Sequence, residues 1–116
     1  MKKILYVEDQ GFVREPMELM LKNLYNLDIA ENGLRGLELF SKNQYDLIIT
    51  DNQMPIMTGI EMSKKIRDLN KDIPIILTTA DDREELSKIL YEIENIYFIS
   101  KPITSINRFT ELIDNF

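Results

Sequence analysis

The residues equipped for chemistry in this 116-residue chain stand just after short apolar runs. Glu8 and Asp9 follow one run and Asp51 follows another. Thr78 and Thr79 close a third, and Ser100, Lys101 and Pro102 close a fourth. Carboxylates, hydroxyls and amines are nearly all that is on offer, because the chain has no Cys and no His. Thiolate nucleophiles, disulfides, zinc ribbons and iron–sulfur sites are excluded. So are a Ser-His-Asp triad, an imidazole base and a His-ligated transition metal. A metal here must be held by oxygen, which favours magnesium, manganese or calcium.

The elements that position these residues are legible in the apolar pattern. Runs at Ile4–Val7, Leu27–Ala30, Leu47–Ile49, Ile75–Leu77 and Ile96–Ile99 predict five strands. Four are nearly continuous in apolar residues, as in a parallel sheet buried on both faces. Between them the period becomes helical: Val13, Met17, Met20, Leu21 and Leu24; Leu34, Leu37 and Phe40; Met62, Ile66 and Leu69; Leu86, Ile89, Leu90 and Ile93; Ile106, Phe109, Leu112, Ile113 and Phe116. Thr58 with Glu61 reads as a capping box, Asp82 with Glu85 as a second helix start, and Asn32-Gly33 and Asn43 bracket the second helix. Pro16 falls a few residues inside the first helix, where it removes a backbone bond unless that helix starts late. Lys64, Lys65 and Arg67 read as a solvated helix face. The expected fold is α/β: one (βα)5 domain over residues 1–116, a doubly wound five-stranded parallel sheet with right-handed crossovers.

In such a sheet the site lies outside the carboxyl ends of the strands. Three carboxylates, a hydroxyl and an ammonium then converge on one rim. At ~4 Å and an effective dielectric near 20, each carboxylate pair repels by ~4 kcal/mol, so the rim calls for a cation. Magnesium suits it, being commonly held by one or two carboxylates, water and phosphate oxygens. A calcium loop beginning at Asp51 fails, because Ile56 stands where its glycine is needed. No Gly-rich phosphate loop is present, so nucleotide binding has no support. The formal charge of −6, with 6 basic and 9 acidic residues in 1–58 and 8 and 11 in 59–116, speaks against direct nucleic-acid binding. Four apolar residues after Met1-Lys2-Lys3 are too few for a signal core or membrane span, so the expected setting is cytoplasmic.

Val7-Glu8-Asp9, Asp51 with Met54-Pro55 and Gly59, Thr79-Ala80 and Lys101-Pro102 occur in an order and spacing that closely resembles the receiver domain of two-component response regulators. The resemblance covers essentially the whole chain. It implies the flavodoxin-like strand order 2-1-3-4-5. It implies Asp51 as the phosphoryl acceptor, Asp9 as a direct magnesium ligand, Glu8 as a water-mediated one and the Gln53 carbonyl as another. Lys101 would pair with phosphoryl oxygens, Thr79 would donate its hydroxyl to them, and Phe98 matches the aromatic switch. Gln53 and Asp81 match positions that tune phosphoryl lifetime. The implied partners are a histidine kinase or phosphotransfer protein as donor and a downstream target or output domain. That partner would read the face of the fourth helix, fifth strand and fifth helix; a phosphorylation-dependent homodimer is also consistent with the family. Glu94-Asn95 replaces the small pair common before the fifth strand, and Asn95 is expected to supply the left-handed conformation. A phosphorylation-independent interaction module is the alternative. A turnover phosphatase on external substrates is disfavoured, because Gln53 stands where a second acid would be.

Overall fold

The computed structural model describes residues 1–80, 83–103 and 105–116. Strands and helices alternate as expected: β1 (Lys3–Val7), α1 (Gly11–Leu21), β2 (Asn26–Ala30), α2 (Gly33–Lys42), β3 (Leu47–Asp51), α3 (Gly59–Leu69), β4 (Ile75–Thr79), α4 (Arg83–Glu92), β5 (Ile96–Ser100) and α5 (Ile106–Asp114). The sheet is parallel with order β2-β1-β3-β4-β5, the flavodoxin-like arrangement. Successive strand residues face opposite sides. Leu5, Val7, Ile48, Ile75 and Leu77 therefore join one apolar cluster with Met62 and Ile66 of α3, Ile89 of α4, and Leu37 and Phe40 of α2. Ile4, Tyr6, Leu47, Ile49 and Ile76 join the other with Met17 and Leu21 of α1 and Phe109 and Ile113 of α5. Burying a side chain of this size contributes ~1.5–3 kcal/mol, so two filled faces hold the strand ends in register.

The caps are formed as the sequence indicates. Thr58 and Glu61 make a reciprocal capping box on α3, and the Asn32 side chain accepts from Arg35 N–H at the start of α2. Asn95 is left-handed at φ 52°. The start proposed for the fourth helix at Asp82 lies outside the described residues, as does Asp81. Helix α1 does not start late. Pro16 sits inside it, and the Phe12 carbonyl forgoes its helical donor.

Some periodic positions are not core. Leu24 lies beyond the end of α1, Leu69 is the last residue of α3, and both are exposed with Met20 and Leu34. The α3 basic face is also not simply solvated. Arg67 donates to the carbonyl oxygens of Glu94 at 2.6 Å, Asn95 at 3.0 Å and Asn70 at 3.1 Å. Lys64 pairs with Glu92 at 3.0 Å. Together they fasten α3 to the end of α4 and the turn into β5. No helix among the described residues is long and apolar enough to cross a membrane.

Candidate functional site

The register carries Val7 opposite Thr50, Asp51 opposite Thr78 and Thr79 opposite Ser100, so four strands end on one rim. The chain leaves β1 through Glu8 and Asp9. One carboxylate oxygen from each of Glu8, Asp9 and Asp51 lies within 4.8 Å of the other two. Glu8 and Asp51 are buried, and Asp9 is half-buried. Lys101 reaches across from the end of β5, with Nζ 3.0 Å from Glu8 Oε1 and 3.2 Å from Asp51 Oδ1. Its backbone N–H donates to the Thr79 carbonyl at 2.9 Å, tying the β4 and β5 ends together. The next peptide bond, to Pro102, is cis.

The electrostatics follow from burial. Desolvation raises the pKa of Glu8 above its ordinary value; the Lys101 hydrogen bond opposes this rise and the Asp51 charge adds to it. Burial works against the charge on Lys101. Its hydrogen bond to Glu8 and the charge of Asp51 outweigh it and hold its pKa above the usual lysine range.

Asp9 Oδ1 is the informative atom, being buried without a hydrogen-bond partner. A buried carboxylate oxygen costs ~1–3 kcal/mol or more when unpaired. Beside two further acids, that atom fits a hard divalent cation, whose ligands are oxygens.

The loop after β3 is pinned at both ends. Asn52 N–H donates to the Thr78 carbonyl at 3.2 Å, and the Asn52 carbonyl accepts from Gly59 N–H at 3.0 Å. The Asn52 side chain accepts from Ile60 N–H at 3.2 Å. Gly59 is required by close approach, since a Cβ there would collide with the Asp51 carbonyl oxygen. Within the loop Ile56 has φ 72°, and Met57 N–H donates to the Pro55 carbonyl at 2.7 Å. This is a positive-φ γ-turn, the rare and strained form, on a β-branched residue.

Of the residues singled out from the sequence, Glu8, Asp9, Asp51 and Lys101 meet in one cradle, and Thr79 borders it at the end of β4. Gln53 lies exposed in the following loop. Phe98 is half-buried against the cluster containing Leu77, on the sheet rather than in the cradle. Sequence reasoning missed Arg14 and Asn52. Arg14 Nη1 donates to the carbonyls of Glu8 at 2.9 Å and Asp9 at 3.3 Å. Its partners are backbone oxygens, which no residue pattern announces.

A family model for the response regulator receiver domain matches residues 4–114. Chemotaxis protein CheY of Halobacterium salinarum is 31% identical over 102 residues, spanning 87% of this chain and 85% of that protein. The solved structure of CheY4 from Vibrio cholerae has a TM-score of 0.90 at 26% identity, covering 99% of this chain and 98% of that one. That of response regulator TrrA from Thermotoga maritima, in complex with Mg2+-BeF, has a TM-score of 0.81 at 32% identity, covering 99% and 98%. The chain spans about a third of the length of other curated response regulators it matches, 35% of each.

Proposed function

The chain belongs to the response regulator receiver domain family, and we propose that it is a signalling switch that takes a phosphoryl group onto Asp51. The observation that supports this most is the cradle: three acids and Lys101 gathered at one rim, with Asp9 Oδ1 buried and unpaired. Asp9 and Asp51 would hold Mg2+, with Glu8 through water and the Gln53 carbonyl completing the set; Mn2+ fits the same donors. The ion, when bound, supplies charge neutralisation for in-line phosphoryl transfer.

An Asp51 carboxylate oxygen attacks phosphorus and a P–O bond forms. The P–N bond to the donor's imidazole breaks, and its electron pair stays on the imidazole nitrogen. The donor is a histidine kinase or phosphotransfer protein, since this chain has no His of its own. Lys101 then exchanges part of its contact with Asp51 for the new phosphoryl oxygens, and the Thr79 hydroxyl donates to them.

Charge-assisted bonds contribute ~1.5–3 kcal/mol each, and inverting a two-state population from 1:99 takes ~5.5 kcal/mol, so a few suffice. Phe98 turns inward as Thr79 moves. The face of α4, β5 and α5 changes shape for a downstream protein, an output domain or a second phosphorylated copy. The domain works in the cytoplasm and turns over no external substrate.

With Mg2+ and acetyl phosphate, Asp51 is expected to gain a base-labile phosphoryl group, read by intact mass. Asp51→Ala is expected to abolish it, and labelling that survives the change removes the assignment. An interaction module indifferent to phosphorylation would show no Mg2+ affinity at millimolar concentration.

A further inference from the structure

Between the end of β1 and the start of α1 the backbone passes through Glu8, Asp9 and Gln10 in neither strand nor helix. Their three successive carbonyl oxygens all meet one residue. Arg14 Nη1 donates to Glu8 O at 2.9 Å and Asp9 O at 3.3 Å, and Arg14 backbone N–H donates to Gln10 O at 2.8 Å. Two of these three residues supply cradle acids. The direction in which a carboxylate leaves the chain follows from the orientation of its own peptide units, and Arg14 Nη1 is bonded to the carbonyls of both acids.

We propose that Arg14 is a positioning residue for the acid cradle, holding Glu8 and Asp9 in the geometry that a divalent cation needs. This rests on the magnesium-binding part of the proposed function. Geometry and charge here act in opposite directions. The carbonyl contacts prepare the ligands, whereas a positive charge nearby repels a divalent cation. A purely electrostatic Arg14 would therefore weaken Mg2+ binding, and a positioning Arg14 strengthens it.

The experiment titrates Mg2+ into wild type, Arg14→Lys and Arg14→Gln, following heat release and melting temperature, with no phosphodonor present. Arg14→Lys keeps the charge and loses the planar guanidinium whose Nη1 makes both carbonyl contacts. Supporting groups behind metal ligands typically affect affinity about 10–100-fold, so a loss of about tenfold in Mg2+ affinity is expected for Arg14→Lys. Arg14→Gln, relieved of the repelling charge, should lose less than Arg14→Lys. Wild-type affinity in Arg14→Lys with tighter binding in Arg14→Gln would overturn the role of Arg14 alone. A lowered melting temperature with unchanged Mg2+ half-saturation would mark Arg14 as merely structural and overturn it too. Absence of Mg2+ affinity in wild type would instead remove the proposed function beneath it.

Discussion

Along β2 and the amino-terminal rim, aspartates have donors of their own. Asp46 accepts the Lys3 backbone N–H at 2.8 Å, Asp28 accepts the Tyr45 hydroxyl at 2.7 Å, and Asp114 accepts the Tyr25 hydroxyl at 2.7 Å. At the carboxyl rim Glu8 and Asp51 share Lys101, and Asp9 Oδ1 has no partner. The side chains are chemically alike, and the company differs. Acceptors with donors of their own stabilise the fold. Crowding leaves the Asp9 Oδ1 acceptor unsatisfied, which is costly at rest and is what the proposed function would use to make the rim respond to a cation and a phosphoryl group.

Removing the shared cation should break this contrast most sharply. Lys101→Met strands buried carboxylates, and breaking such a pair costs ~3–5 kcal/mol; as Lys101 keeps some solvent, the lower end is expected. Urea denaturation without Mg2+ should show the loss, and millimolar Mg2+ should recover most of it. A variant as stable as wild type without metal would mean that the acids do not repel.

Asp9→Asn tests the crowding from the other side. Taking away one like charge should stabilise the metal-free protein by about 1 kcal/mol and narrow the rise in melting temperature on adding Mg2+. A less stable metal-free form would contradict the repulsion. At the paired end, Tyr45→Phe should remove about 1 kcal/mol by loss of one hydrogen bond to a charged acceptor, equally with and without Mg2+. A metal-dependent difference would mean that the two regions are not separate.

The smallest effect is in pH. Glu8 holds its proton more tightly folded than unfolded, so above about pH 4.5 the folded state binds more protons from this group. Its contribution to metal-free stability therefore declines as pH rises through the elevated folded value. Lys101 has the same sign in a higher range: its contribution is full below the usual lysine pKa and is lost as pH rises through its elevated folded value. Stability curves with and without Mg2+ should diverge above pH 4.5, and parallel curves would count against a strained Glu8.

The order of elements was legible because parallel strands read as unbroken β-branched runs, and a residue after such a run must lie on the carboxyl rim. That logic reached Glu8, Asp9, Asp51 and Lys101. It overreached at Leu24 and Leu69, where the apolar period continues past or up to the end of a helix and the side chain meets solvent. It failed at Arg14 and Arg67, both read as ordinary helix surface or passed over. Each seeks main-chain carbonyls, and every residue has one, so the partner leaves no mark in composition or spacing. Asn52 was silent for the same reason. Its acceptor serves Ile60 N–H across a loop whose path only the fold defines.

The turn at Ile56 bears on protein engineering. A branched side chain held at φ 72° is mostly in solvent, at 76% exposure, so it lends little to either apolar face. Replacing it with glycine or asparagine would let the backbone rest where it already lies. A search for thermostable versions of this domain would do well to begin there, in a surface bend, and leave its interior alone.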